Sequence, residues 1–173
     1  MNGDDPEADE FAAFFRQHMN TLRGYLINAG GDASFVDDIL QDTFLATKLY
    51  WGKVRDYDKP EAYLYKVASR QLGRYSKNRY LRTEPHAEPP IPATFRADAI
   101  TMADAIREAL ERLSLRQRQV ILLCYTYGFT IKETAKILSI AEGTVKRCRS
   151  DALSRLRAIM ADVNDSDEGR SRG

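Results

Sequence analysis

The sequence contains very little cysteine or histidine, two residue types that often build catalytic or metal centres. Its 173 residues include only two cysteines, Cys124 and Cys148, with no Cys-x-x-Cys or Cys/His cluster around them. Both fall on the apolar side of a predicted helix, so we expect them in a core rather than in a disulfide or a metal site. His18 and His86 are isolated, and no glycine-rich phosphate loop is present. These absences argue against an enzyme and predict neither a metal nor a cofactor.

Long apolar runs and strand patterns are also missing. The longest apolar run, Val120 to Tyr125, is far shorter than the roughly 20 residues that cross a bilayer. No signal-peptide core follows the acidic start, so we expect a cytoplasmic protein. No segment alternates apolar and polar residues in the manner of a strand. The predicted fold is therefore all-α.

Charge and proline divide the chain into two parts. The net charge is only +1, but positive residues collect at 66–82 and 132–157, and four of the six prolines fall at 85–92. A proline-rich segment is semi-extended and does not pack, so it reads as a linker between two helical bundles. The predicted organisation is a disordered acidic N-terminus at 1–9, a first bundle at 10–82, a linker at 83–97, a second bundle at 98–160 and a disordered tail at 161–173.

The second bundle ends in a predicted helix-turn-helix. Thr130 and Glu133 form a capping box that starts one helix at Ile131, and Ile140 fills the turn before a longer basic helix. The second helix of such a motif enters the major groove of DNA. The basic residues that lie largely off its buried stripe, or on the preceding helix, are Lys132, Lys136, Lys146, Arg147, Arg149, Arg155 and Arg157.

The third helix of the first bundle carries a second basic pattern. It starts at Pro60, and its basic residues are spaced four, four and three apart, which aligns them on one side of the helix: Lys66, Arg70, Arg74 and Lys77. Tyr63 begins this stripe, and Tyr65, Tyr75 and Tyr80 are interleaved with it. Basic residues alternating with aromatic rings favour single-stranded nucleic acid. The alternative is a solvated helix whose tyrosines lie in the core.

The preceding helix has the opposite charge. We predict that Ser34 caps it and that Trp51 lies on its inner side. Its acidic patch consists of Asp37, Asp38 and Asp42, with Gln41 among them. An acidic patch repels DNA and favours a basic protein partner. A solvated acidic face near a helix N-terminus is the alternative.

Five segments together resemble the extracytoplasmic-function (ECF) sigma factors of bacterial RNA polymerase. They are Val36–Leu45, Pro60–Arg70, Leu113–Val120, Gly128–Ala135 and Gly143–Lys146. The resemblance covers roughly residues 10–82 and 100–160. It implies a sigma factor that binds core polymerase, reads the −35 and −10 promoter elements and assists melting at −10. It also implies an anti-sigma factor as a further partner.

The resemblance also implies roles for individual residues. The residues implied to dock on the polymerase clamp helices are Asp38, Gln41, Asp42 and Phe44. Those implied to engage the −10 element are the 54–59 loop, Tyr63, Lys66, Arg70 and Arg74, with Lys77 extending the stripe. Those implied to face −35 bases are Lys146, Arg147, Ser150 and Asp151, and those nearer to phosphates are Lys132, Thr144 and Arg149. The second bundle would also contact the polymerase flap.

Two other classes of protein remain open at this stage. A stand-alone helix-turn-helix regulator that binds operators as a dimer would explain the last sixty residues but not the basic stripe of the first bundle. A serine recombinase would need a catalytic module, which the all-helical first bundle does not provide.

Overall fold

The computed structural model describes the backbone of residues 6–82 and 102–170 and the side chains of residues 6–78 and 106–161. Within these ranges the regular elements are helices α1 (Pro6–Asn28), α2 (Ala33–Leu49), α3 (Trp51–Val54), α4 (Pro60–Arg82), α5 (Met102–Glu111), α6 (Leu115–Ile121), α7 (Ile131–Leu138) and α8 (Glu142–Arg170). Helix α6 continues directly into a π-helical turn at Leu122–Thr126. The predicted all-α fold is confirmed. We refer to α1–α4 as the first body and to α5–α8 as the second body.

A glycine turn ends α1 and directs the chain into α2. Gly30 has a φ of 102°, and the Gly31 N–H donates to the Leu26 carbonyl at 2.8 Å. A Cβ atom at Gly31 would lie 2.7 Å from that carbonyl oxygen, so the turn requires glycine at this position. The turn brings α1 and α2 into contact along their apolar sides.

The cap of α2 differs from the prediction. The cap is Asp32, whose carboxylate accepts from the Ser34 N–H at 3.0 Å and from the Ser34 hydroxyl at 2.9 Å. Ser34 itself lies in the first turn of the helix. The prediction of Ser34 as the cap was wrong because two short polar residues, two positions apart, compete for this role, and the carboxylate reaches the free N–H groups.

Trp51 belongs to the short helix α3 and not to α2, which ends at Leu49. Its ring is 4% exposed and packs edge-on against Phe11, with ring centroids 5.3 Å apart. The Phe14 ring lies on it at 4.8 Å. Helix α3 thereby fixes the chain between α2 and α4 against the N-terminal half of α1.

Helix α4 begins at Pro60, as predicted, where the missing proline N–H costs no hydrogen bond. It buries Leu64, Ala68 and Leu72 in the first body. The Tyr25 and Ser69 hydroxyls share a hydrogen bond of 2.6 Å that joins α1 to α4. One side of α4 is therefore fixed in the core, and the other is left for solvent.

Two capping boxes organise the second body, and the one at Thr130 and Glu133 is as predicted. Ser114 and Gln117 start α6, and Thr130 and Glu133 start α7, with reciprocal side-chain and backbone hydrogen bonds in each box. Between them the π-helical turn closes with the Tyr127 N–H donating to a carbonyl five residues earlier, at 3.0 Å. This turn carries the chain into the helix-turn-helix of α7 and α8.

The predicted domain boundaries differ from the structure at both ends. Helix α1 already begins at Pro6, within the segment 1–9 that was predicted to be disordered. Helix α8 runs to Arg170, within the predicted tail 161–173. The predicted linker at 83–97 lies outside the described residues. Within the described ranges, no helix combines the length and apolarity needed to cross a bilayer.

The two bodies are in contact, which the sequence did not predict. Helix α4 of the first body packs against α7 of the second. The cluster of buried apolar residues runs through both bodies without interruption. The basic side of α4 nevertheless remains at the surface.

Candidate functional site

Four basic side chains form an exposed row along α4, and we call them the basic row: Lys66, Arg70, Arg74 and Lys77. The structure places all four on the side that the periodicity predicted, opposite the buried Leu64 and Leu72. Like charges one turn apart on a helix repel each other. A polyanion lying along the row would remove that repulsion, because the cations would neutralise its phosphates.

Three tyrosines lie together at the N-terminal end of the basic row. Tyr63 is partly buried, and its pKa is raised first by that burial and then by the neighbouring Tyr50 and Tyr57. Tyr50 and Tyr57 are 58% and 44% exposed. We call these three residues the tyrosine cluster. Aromatic rings beside a row of cations are the combination that binds single strands by stacking and by phosphate contact. The sequence did not point to Tyr50, which lies outside α4 and joins the cluster through the fold.

The other interleaved tyrosines of α4 do not belong to this surface. Tyr65 is 4% exposed, and its ring packs against those of Tyr25 and Phe129 at 5.1 and 5.3 Å. The Tyr75 ring packs on Phe35 at 5.4 Å. The prediction that these tyrosines join the cations in binding nucleic acid was wrong, because they lie on sides of α4 that pack against other parts of the protein. The Tyr80 side chain lies outside the described residues.

The turn between α7 and α8 sets the direction of the basic helix. Ser139 ends α7 in the left-handed region with a φ of 54°, and the Ile140 N–H donates to the Ala135 carbonyl at 3.0 Å. The Ala141 carbonyl accepts the first hydrogen bond of α8, from Val145 at 3.1 Å. Val145 is fully buried, so α8 is anchored on α7 by its first turn. Its opposite side faces outward.

The N-terminal half of α8 presents most of the residues predicted to contact DNA. The exposed ones are Thr144, Lys146, Arg147, Ser150 and Asp151, together with Lys132 on α7. Arg149 is partly buried. The Arg147 Nε atom lies 3.9 Å from an Asp151 carboxylate oxygen, and the two side chains are 86% and 60% exposed. An ion pair of this length and exposure is weak, so both side chains can turn toward a ligand.

The residues of α2 implied to dock on the polymerase divide into surface and core residues. Asp38, Gln41 and Asp42 are exposed, as predicted. Phe44 is 5% exposed, and its ring packs edge-on against Phe15 with centroids 4.4 Å apart. The assignment of Phe44 to the exposed docking surface therefore needs correction, because this side chain points into the first body.

Two exposed leucines extend the surface that the sequence identified on α2. Leu45 is 54% exposed and Leu49 is 82% exposed. They follow Asp38 and Asp42 at helical spacing, so the four side chains share one side of α2, which we call the α2 face. Sequence reasoning missed the leucines, although their spacing from the two aspartates was a visible signal.

An apolar groove lies beside the α2 face, between α1 and α2. It has a volume of about 430 Å³. Its lining is Phe11, Phe15, Met19, Asn20, Arg23, Asp37, Leu40, Gln41, Phe44, Leu45 and Lys48. Phe44 thus contributes to the floor of the groove and not to its exposed rim. Apolar side chains of a partner fit such a groove, while the acidic residues on α2 attract cations around it.

Among the described residues, His18 and the two cysteines pack against neighbouring side chains. The His18 ring lies 4.5 Å from the Phe14 ring, and burial lowers the pKa of His18, partly opposed by the charge of Glu61. Both cysteines are free thiols, and the Cys124 sulfur lies 3.5 Å from the Thr134 hydroxyl. In the part of the chain that the structure describes, no three His, Cys, Asp or Glu side chains are grouped to hold a metal.

Known proteins of one kind are similar to this chain in sequence. The family model "Sigma-70, region 4" matches residues 103–156, which include the helix-turn-helix. The ECF RNA polymerase sigma factor SigM of Mycobacterium tuberculosis is 27% identical over 158 residues, covering 89% of this chain and 79% of SigM. SigL of the same organism is 29% identical over 164 residues, covering 91% of this chain and 92% of SigL.

Solved structures share the fold. The sigma factor RpoE of Bartonella quintana, in complex with the anti-sigma factor NepR, has a TM-score of 0.71 at 21% identity and covers 88% of this chain and 97% of its own. CnrH, in complex with the cytosolic domain of CnrY, has a TM-score of 0.58 at 20% identity and covers 88% of each chain. The similarity therefore extends over both bodies.

Proposed function

Since this chain is an ECF-type sigma factor that directs transcription initiation, we propose that its two bodies read separate promoter elements. The second body would read the −35 element as duplex DNA. The first body would hold the −10 element as single-stranded DNA and dock on the polymerase. The observation that carries this proposal is the pair of exposed basic helices, one on each body, α4 and α8.

For the −35 element we propose that the start of α8 lies in the major groove. Arg147 is the best placed to donate to a guanine, because its side chain is 86% exposed and only loosely paired. Asp151 would accept from a base such as cytosine, since a carboxylate approaches phosphates only at a cost. Lys146 and Ser150 would contact neighbouring bases. Lys132, Thr144 and Arg149 would contact phosphates and fix the register.

For the −10 element we propose that the basic row follows the backbone of the unpaired strand. The tyrosine cluster stands at one end of this row, where its rings would stack on bases that leave the duplex. Stacking of a base on an aromatic ring contributes about 1–3 kcal/mol, and a flipped base costs a few kcal/mol. Tyr63 together with the cations of the row would therefore offset most of the cost of opening the first base pairs.

For the polymerase we propose that the α2 face and the adjoining groove dock on the clamp helices. Leu45 and Leu49 would supply apolar contact, and Asp38 and Asp42 would pair with basic side chains of the partner. Gln41 lies between the face and the groove. The second body would in addition contact the polymerase flap.

We also propose an anti-sigma factor as a partner that controls this chain. RpoE and CnrH, which share its fold, are each seen in complex with another protein, NepR and the cytosolic domain of CnrY. The chain itself would carry out no catalysis and would act in the cytoplasm beside the polymerase. The reaction would belong to the polymerase.

The proline-rich composition of residues 83–97 supports a tether on which the two bodies would reach both elements. Two elements centred about 20–25 base pairs apart lie about 70–85 Å apart at 3.4 Å per base pair. Fifteen residues in a polyproline conformation reach about 45 Å. Two bodies with radii of gyration near 12 Å on such a tether can span the distance.

Run-off transcription tests the proposal. We expect specific transcripts only when this protein and core polymerase are both present, and we expect the protein to co-purify with the core. DNase footprinting of the free protein is the matched measurement. A strong footprint at a palindrome without polymerase, and no dependence of transcription on the protein, would favour a dimeric operator-binding regulator instead.

A further inference from the structure

The acidic start of α1 has no part in the proposed binding of DNA or polymerase, yet it lies against α3. The Glu10 carboxylate is 2.9 Å from the Arg55 guanidinium, and the two side chains are 46% and 37% exposed. A Cβ atom at Gly52 would lie 3.3 Å from a Glu7 carboxylate oxygen. The first turns of α1 thus contact both α3 and the residue that follows it.

Aromatic rings join the same two helices. Trp51 of α3 is 4% exposed and packs against the rings of Phe11 and Phe14, with centroids 5.3 and 4.8 Å away. Helix α3 has only four residues, and a helix this short does not form by itself in water. The position of α3 therefore depends on its contacts with neighbouring helices, including these contacts with α1.

Helix α3 and its flanks carry two members of the tyrosine cluster. Tyr50 directly precedes α3, and its carbonyl accepts from the Val54 N–H at 2.9 Å. The Tyr57 N–H donates to the Val54 carbonyl at 3.1 Å, which ties the following turn to α3. Tyr63, the third member, stands on α4. A shift of α3 against α1 would therefore move Tyr50 and Tyr57 relative to Tyr63.

We propose that Glu10 is a positioning residue for the −10 element, and that its ion pair with Arg55 holds α3 and its two tyrosines where they receive unpaired bases. The inference rests on the proposed function for the role of the tyrosine cluster. An exposed ion pair adds little to the stability of a whole domain. Loss of this pair should therefore change the position of α3 and leave the chain folded.

Charge alone predicts the opposite effect on DNA binding. Removal of an acidic side chain near a basic surface raises the affinity for a polyanion. Positioning instead predicts that the affinity falls, although negative charge is removed. Asp9 separates the two explanations, because it lies beside Glu10, is exposed and takes no part in the pair with Arg55.

Binding of single-stranded DNA to the holoenzyme tests the direction of the effect. The probe is a fluorescein-labelled single-stranded oligonucleotide that carries the −10 sequence of a promoter identified by run-off transcription. We expect Glu10→Gln to weaken binding, measured by anisotropy, about two- to fivefold. Asp9→Asn should leave binding equal or tighter. If Glu10→Gln binds as tightly as Asp9→Asn, the positioning role is overturned.

A double-mutant cycle tests whether Glu10 acts through Arg55. Once Arg55→Gln has removed the partner, Glu10→Gln should cause no further loss of binding, because both substitutions remove the same interaction. Losses that add in the double variant would show that Glu10 acts by another route, and they would overturn the proposal.

The fluorescence of Trp51 tests the position of α3 without DNA or polymerase, because Trp51 is the only tryptophan of the chain. In the free full-length chain we expect Glu10→Gln and Arg55→Gln each to raise the acrylamide quenching constant about two- to fivefold, through more frequent local opening. Glu108→Gln is the matched control, since it removes an exposed pair of the same 2.9 Å length, with Arg112.

Unchanged quenching in Glu10→Gln, or an equal rise in Glu108→Gln, would overturn the positioning role. Circular dichroism checks that each variant is folded. A wild type that transcribes from no promoter would contradict the proposed function, whereas the quenching would still decide whether Glu10 holds α3 in place.

Discussion

At the scale of single residues, Arg147 has the position and the freedom to read a base. It projects from the second turn of α8, and its only described ion pair, to Asp151, spans 3.9 Å. We expect Arg147→Ala to lower transcription from −35-dependent promoters about 5- to 150-fold, which corresponds to the 1–3 kcal/mol of one bidentate base contact. Run-off assays on promoters with each base at each −35 position measure this.

The control for Arg147 is Arg157→Ala, which removes an exposed cation of the same helix ten residues further along. Its loss should weaken binding slightly and equally for all sequences. If the two variants lose the same activity on every promoter, Arg147 acts through charge alone and does not read a base.

We predict that strand opening depends more on Tyr63 than on any other residue of the basic row or the tyrosine cluster. Tyr63 is partly buried and lies one turn before Lys66 on α4, so we expect its ring to support a base beside the basic row. We expect Tyr63→Ala to reduce permanganate reactivity of the −10 thymines strongly, with about 1–3 kcal/mol lost per unstacked base. Tyr63→Phe should retain the reactivity. Tyr125→Ala, at an exposed tyrosine of the second body, serves as control, and unchanged reactivity in Tyr63→Ala would contradict the stacking role.

The tyrosines of α4 also mark how far the sequence could predict the site. The spacing of the basic row fixed its side of the helix, because like charges are not buried together. The same spacing did not separate Tyr63 from Tyr65, two positions away. A tyrosine ring suits both core and surface. Tyr25 packs against Tyr65 from within the first body, and Tyr127 and Phe129 pack against it from the second body, more than sixty positions away in the sequence.

At the scale of helices, the α2 face offers a test of polymerase docking. Leu49 is 82% exposed, so Leu49→Gln should leave the free energy of unfolding within about 0.5 kcal/mol of wild type. Loss of its apolar contact should weaken binding to core polymerase about 5- to 30-fold, since partial burial of a leucine contributes about 1–2 kcal/mol.

Ile27→Gln is the matched control for Leu49, because Ile27 is a large apolar residue of α1 that is 46% exposed and lies outside the groove lining. Binding measured by fluorescence anisotropy should be unaffected by it. Equal losses in the two variants would remove the α2 face from the docking surface.

Helix starts were predictable where one side chain could cap, and less so where several competed. The box at Thr130 formed as predicted because a glutamate three residues on completes it, and Gln117 completes the box at Ser114 in the same way. At α2 the cap is Asp32 and not the predicted Ser34, because both residues are short and polar and compete for the same position. Trp51 lies in α3 and not in α2, and its ring packs on Phe11 and Phe14 of α1. The apolar spacing within α2 cannot predict this contact with another helix.

At the scale of the whole molecule, the contact between the bodies could not be read from the sequence. The proline-rich segment indicates a tether, and a tether allows both separation and docking. Two residues of the interface also have ordinary roles within their own bodies: Glu133 belongs to the capping box of α7, and the Tyr25 hydroxyl shares a hydrogen bond with Ser69. These roles account for both residues in the sequence, so neither indicates a partner surface.

Alkaline pH provides a test of this shared core. Burial raises the pKa of Tyr25 and of Tyr65 above the ordinary value near 10, and the nearby Tyr127 raises both further, while the Ser69 hydrogen bond partly opposes this at Tyr25. The folded chain therefore holds these protons more tightly than the unfolded chain. Stability is fully present below about pH 10 and falls as the pH rises toward the folded pKa values.

Urea unfolding between pH 8 and pH 11.5 measures this fall, and Tyr65→Phe isolates one contribution to it. The variant keeps the ring contacts with Tyr127 and Phe129, so its free energy of unfolding at pH 8 should be close to that of the wild type. It carries no proton to lose at this position, so its stability should fall less steeply above pH 10. Tyr65 is buried where the two bodies meet. The variant should therefore also keep a compact small-angle X-ray scattering profile to a higher pH than the wild type does. An identical decline in the two proteins would mean that the pKa of Tyr65 is no higher in the folded chain than in the unfolded chain. The bodies would then already be apart in solution.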